Sequence, residues 1–93
     1  MVVCVVARRP RTADPDREPL WARRRQIVGA RIRTLRLECG LSQESLALES
    51  GLSRDQLIQM EYGRKGVLVE RMYDIAAVLG VSVGDLIPDD SPG

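Results

Sequence analysis

From Leu20 to Ile87 the apolar residues fall at helical spacing, and glycines interrupt them at Gly40, Gly51, Gly63 and Gly80. That punctuation constrains the fold more than any other feature of the chain. A period of threes and fours calls for helices with one apolar stripe each. A glycine just past each stripe supplies the residue that most readily takes the left-handed backbone on which helices stop. Val28, Ile32 and Leu35 make the first stripe, closed by Gly40. Ser42 is placed to N-cap a short second helix running to about Ser50, with Leu46 and Ala47 inward. Ser53 caps a third helix that ends at Gly63, with Gln56 as its capping-box partner. A fourth carries Val69, Met72, Ile75, Ala76 and Leu79 and closes at Gly80. The run Val81–Ile87, capped by Ser82, reads as a short fifth helix. The expected fold class is all-α, a compact five-helix bundle with short loops.

The core of such a bundle has to be aliphatic. Phe is absent, and Trp21, Tyr62 and Tyr73 are the only aromatic residues among 93. That length fits one domain and leaves no room for a second core. The bundle is preceded by an extension of different character. Val2–Val6 is a β-prone apolar run that reads as a candidate strand, and Arg8–Pro19 holds Pro10, Pro15 and Pro19 among charges. Such a stretch cannot form one continuous helix. The expected organisation is an arm and linker over 1–20, a helical domain over 21–88 and a polar tail over 89–93. Met1–Ala7 is far too short to span a bilayer, and its positive charges follow rather than precede it, the wrong order for a secretory signal. No membrane association is expected, and the cytoplasm is the expected compartment.

The net charge of +1 conceals an asymmetry. Arg8 to Arg36 holds ten arginines against Asp14, Asp16 and Glu18, whereas Leu37 onward holds Arg54, Arg64, Lys65 and Arg71 against ten acids. A basic front half is what an electrostatic footprint for phosphates looks like. An arginine-biased solvated surface gives the same count, and composition weighs the two equally. The absence of His removes the usual general base and the commonest metal ligand. Cys4 and Cys39 lie far apart with no CxxC spacing, so two reduced thiols are the expectation, not a zinc or redox pair. With no phosphate loop and no nucleophile beside a base, neither an enzyme nor a cofactor is expected.

The informative stretch is Gly40 to Gly63. Two short helices joined by a turn with Gly51 at its mouth are the signature of a helix-turn-helix. Leu57 and Met60, three apart, must face the core, which turns Arg54, Asp55, Ile58, Gln59 and Tyr62 outward. Arg and Gln are side chains that can make bidentate hydrogen bonds to base edges.

The segments GLSQESLA from Gly40, GLSR from Gly51 and MEYGR from Met60 resemble the phage-repressor and Cro family of helix-turn-helix regulators, also called the Xre type. The likeness begins at GARIRTLR from Gly29 and continues through IAAVLGVSV from Ile75 to Leu86. It spans Ile27 to Ile87, about two thirds of the chain, with five ordered segments at the right spacing. Residues 1–25 match nothing in that pattern. The resemblance implies a lambda-repressor-like domain that regulates transcription from double-stranded DNA. It implies that Gln43 lies near a phosphate and the outermost base, and that Arg54, Asp55, Ile58 and Gln59 meet bases. It puts Arg64 and Lys65 in a loop near backbone phosphates. Ser53 and Tyr62, at the two ends of the reading helix, complete the expected DNA-contacting set. It also implies a largely buried ion pair between Arg36 and Glu61. The chain departs from the family at Leu48 and Ile58, where polar residues are usual, and at Val67-Leu68, an unusually apolar start to the fourth helix.

Plainer readings stand beside these. Arg54 can be a solvated charge. Asp55 suits either a cytosine amino group or an orienting pair with Arg54. Ile58 suits a thymine methyl, a protein partner or no role at all. Arg31 and Arg33 read as a solvated helix face, and Arg23–Arg25 either touch phosphate or solubilise the first helix. One module of this size covers only about 600–1,000 Å², so a two-fold homodimer on a pseudo-palindrome is expected. The apolar positions Leu48, Ile58, Val67 and Leu68 support a second reading, a protein-interaction module such as the antitoxins built on this fold.

Overall fold

The computed structural model describes residues 17–89. Among them every regular element is helical: α1 (Arg17–Glu38), α2 (Gln43–Ser50), α3 (Arg54–Glu61), α4 (Val69–Leu79) and a 3₁₀ turn at Val83–Leu86. The candidate strand Val2–Val6, the linker arginines Arg8, Arg9 and Arg11 and the end of the tail lie outside the described residues.

One residue from each element is fully buried: Ile32, Leu46, Leu57, Ile75 and Leu86. Leu35, Ala47, Leu52, Met60, Met72, Ala76 and Leu79 close around them. Each buried aliphatic side chain stabilises the fold by about 1.5–3 kcal/mol, so this centre holds the helices without aromatic help. α1 and α3 make the most extensive contact, and α2 packs on both α3 and α4. Gly29 explains how close α1 and α3 come. A Cβ there would collide with the carbonyls of Met60 and Glu61.

The capping signals act where expected. Ser53 Oγ accepts from the Gln56 N–H at 3.0 Å and Gln56 Oε1 accepts from the Ser53 N–H at 2.8 Å. Ser42 Oγ accepts from the Ser45 N–H at 3.0 Å.

Four expectations change. The fifth helix is a single 3₁₀ turn, because the chain has only four residues before Ile87, which precedes Pro88 and is pushed out of helical backbone to φ −118°, ψ 82°. α1 begins at Arg17, ahead of the expected boundary near Leu20, because Pro19 falls in the first turn, where no intrahelical N–H is needed. Val69 does not reach the core and is 63% exposed; the loop residue Val67 packs there instead. Val67 is thus not the open apolar position its sequence context suggests, and Ile58 is half-buried.

Candidate nucleic-acid interface

α2 and α3 are eight residues each, joined by Gly51-Leu52-Ser53. Gly51 sits at φ +73°, a backbone costly for any residue with a Cβ. The next N–H, of Leu52, then reaches back to Ala47 O at 2.8 Å while the Leu52 side chain is buried. This hydrogen bond and this apolar contact fix how α3 leaves α2.

The outward residues of α3 divide into two edges. Asp55, Gln59 and Tyr62, spaced at i, i+4 and i+7, line one, and Asp55 and Gln59 border a hollow shared with Lys65, Leu68 and Arg71. Arg54 and Ile58, also one turn apart, line the edge toward the start of α2. Arg54, Asp55 and Tyr62 are exposed, and Ile58 and Gln59 are half-buried. The expected single face is therefore broader and less uniformly open. Ser53 is exposed at the mouth of α3 with its Oγ engaged as the cap.

Beyond α3, the Arg64 N–H bonds to Gln59 O at 2.9 Å, and the Arg64 guanidinium stands 5.1 Å from the Tyr62 ring centroid. Stacking of this kind orders an otherwise free cation. Lys65 follows, exposed. The loop is braced from α1: Arg25 Nε donates to Gly63 O at 3.3 Å and its Nη2 to Glu18 Oε1 at 2.9 Å.

Behind the surface, Arg36 and Glu61 meet side-on. Arg36 Nε donates to Glu61 Oε2 at 2.7 Å and Nη2 to Glu61 Oε1 at 3.1 Å. Their side chains are 8% and 1% exposed. Two further hydrogen bonds extend the pair: Arg36 Nη1 donates to Leu41 O at 2.9 Å, and Gln43 Nε2 donates to Glu61 Oε1 at 3.2 Å. The pair thus joins α1, α2 and α3, and Gln43 is tethered to it.

An open hollow of about 510 Å³ lies where α1, α2 and α3 meet, lined by Arg33, Arg36, Ser42, Gln43, Glu44 and Arg54. Its lining carries three arginines and one acid, with Arg36 already neutralised by Glu61. Glu44 is a residue sequence reasoning passed over. Its Oε1 is 3.8 Å from Arg54 Nε. No local pattern marks it, since the two lie on different helices. Arg31 is likewise more than a solvated charge, because its Nε donates to Asp85 O at 2.9 Å and ties α1 to the 3₁₀ turn. Among the described residues no group of three metal-ligating side chains forms, and no helix is long and apolar enough to cross a membrane.

The pattern of the family described as Helix-turn-helix matches residues 32–86. An uncharacterised HTH-type transcriptional regulator of Sinorhizobium fredii, y4dJ, is 39% identical over 70 residues, 73% of this chain and 91% of that one. Among solved structures, the clp gene regulator ClgR of Corynebacterium glutamicum is 35% identical with a TM-score of 0.65, over 67% of this chain and 66% of its own. The restriction-modification controller protein C.AhdI of Aeromonas hydrophila is also 35% identical, with a TM-score of 0.66, over 68% of this chain and 96% of that one.

Proposed function

The chain belongs to the helix-turn-helix family of DNA-binding transcriptional regulators, a family of regulators and not of enzymes, and on that premise we propose that it is sequence-specific and acts as a homodimer. α3 lies in the major groove. Arg54, Asp55, Ile58 and Gln59 meet base edges there, Tyr62 lies at the groove wall, and Ser53, Gln43, Arg64 and Lys65 contact the flanking phosphates. The observation that carries this reading is the exposed run of Arg54, Asp55 and Tyr62 beside Gln59, on a helix locked from behind by the buried Arg36–Glu61 pair. A groove reader needs such rigidity, because phosphate contacts fix register while few side chains discriminate bases. The protein works where the DNA is, in the cytoplasm with the nucleoid.

The dimer is supported by α4. Val69, Tyr73 and Ala77, at i, i+4 and i+8, are all exposed on one edge of that helix. Leu48, 81% exposed on α2, favours a second surface for a protein partner, the antitoxin-like reading.

Selection of bound duplexes from a random pool tests specificity, with Arg54→Ala and Gln59→Ala as controls. Each replacement should cost about 1–3 kcal/mol on the selected site and far less on random DNA. Equal losses on both DNAs would reduce these residues to backbone contacts.

A further inference from the structure

We propose that Glu44 is a positioning residue that makes Arg54 a reader of guanine and bars it from serving as a phosphate clamp. The inference rests on the reading of α3 above and adds to it a specificity device on α2.

Glu44 is in the first turn of α2 and Arg54 is the first residue of α3. The turn between these helices brings Glu44 Oε1 to 3.8 Å from Arg54 Nε. The side chains are 75% and 60% exposed. A pair in that setting does little for folding. Its position on the DNA side of the motif gives it another use.

The carboxylate stands on the Nε side of the guanidinium, at ion-pair rather than hydrogen-bond distance. Arg54 Nε faces the carboxylate, which leaves Nη1 and Nη2 as an end-on fork. Two parallel donors of this kind match O6 and N7 of guanine, the commonest specific contact in the major groove. An unpaired arginine on an exposed helix end has no such preference of pose and turns to the nearest phosphate. Arg36, beside it in the hollow, cannot take over this role. Its guanidinium is committed to Glu61 and to Leu41 O.

Charge gives the second half of the argument. Glu44 is the one acid among the residues lining the hollow. An acid facing duplex DNA weakens binding everywhere, since non-specific affinity is almost wholly attraction between cations and phosphates. A guanine edge carries no net charge and is not repelled in the same way. Glu44 therefore subtracts more from random-sequence binding than from binding at a site with guanine under Arg54. Discrimination then comes from a built-in penalty on the competitor.

The test compares the full-length wild type with Glu44→Gln on the selected site and on random duplex over a series of salt concentrations. Glu44→Gln should bind random duplex about 3- to 10-fold tighter, with a salt slope steeper by about 1. In a repeated selection it should relax preference at the same base pair whose preference disappears in Arg54→Ala, and at no other. A fold defect would not produce that coincidence, and thermal melting of Glu44→Gln should match the wild type. Unchanged affinity for random duplex overturns the proposal. So does relaxed preference at a different base pair, which would make Glu44 itself a base reader. A wild type that binds DNA but selects no sequence would overturn the reading of α3, and this inference with it.

Discussion

Arg36 and Glu61 face each other with two hydrogen bonds, and both are largely withdrawn from water. Desolvating two charges is costly, and the pair recovers that cost only while both members are present. Removing one strands the other beside Leu41 O or Gln43. Glu61→Gln and Arg36→Met should therefore each lower stability by about 3–5 kcal/mol, read from urea unfolding. The double variant should lose clearly less than the sum, since no charge is left buried. Small additive losses would show that the two side chains contribute independently. The same pair marks how far the sequence reached at this scale. Its partners were legible by resemblance, while the tether from Gln43 was not. Nothing in the spacing of Gln43 and Glu61 signals a hydrogen bond across 18 positions.

At the scale of the element, what is local was readable. The capping box at Ser53 closes over three residues, so its two hydrogen bonds are written in the sequence itself. The glycine stops are equally local. What depends on where a neighbour ends was not readable. Val69 keeps the period of Met72 and Ile75, yet no helix extends far enough to cover it, and Val67 fills the space from the loop. Gly29 is the sharpest case. Inside a 22-residue helix a glycine looks like a weakness, and Gly→Ala in an open helix gains about 1 kcal/mol. Here the added methyl would meet the Met60 and Glu61 carbonyls, with the Glu61 carbonyl carbon at 2.9 Å. These are backbone atoms that cannot turn aside. Overpacking of this kind costs about 1–3 kcal/mol and outweighs the propensity gain. Gly29→Ala should thus unfold at lower urea concentration than the wild type, and α1 should separate from α3 first. The neighbouring exposed Ala30 provides the contrast, since Ala30→Gly should lose only about 1 kcal/mol through propensity. A Gly29→Ala protein more stable than wild type would show that the helices can part at no cost.

For the whole molecule, the proposed homodimer needs a surface that joins two copies and leaves α3 of each toward the DNA. Half-sites for such a pair on one face of a duplex lie about one helical turn apart, roughly 34–36 Å. The exposed Val69, Tyr73 and Ala77 edge of α4 is the apolar surface we assign to the contact between copies. None of these three residues belongs to α3. The contact has a kinetic and thermodynamic consequence. In the proposed homodimer, once one protomer is bound the second would engage its half-site at an effective concentration in the millimolar range, strengthening overall binding by about 10²–10⁴-fold. Val69→Lys with Tyr73→Glu should abolish the dimer in sedimentation equilibrium without disturbing the fold, since neither side chain belongs to the core. Affinity for the full selected site should fall by about 100-fold or more. Affinity for a single half-site should stay within a factor of about two, because the lost term is linkage between copies and not contact with bases. Equal losses on half-site and full site would place these residues at the DNA. An unchanged dimer would move the interface off α4.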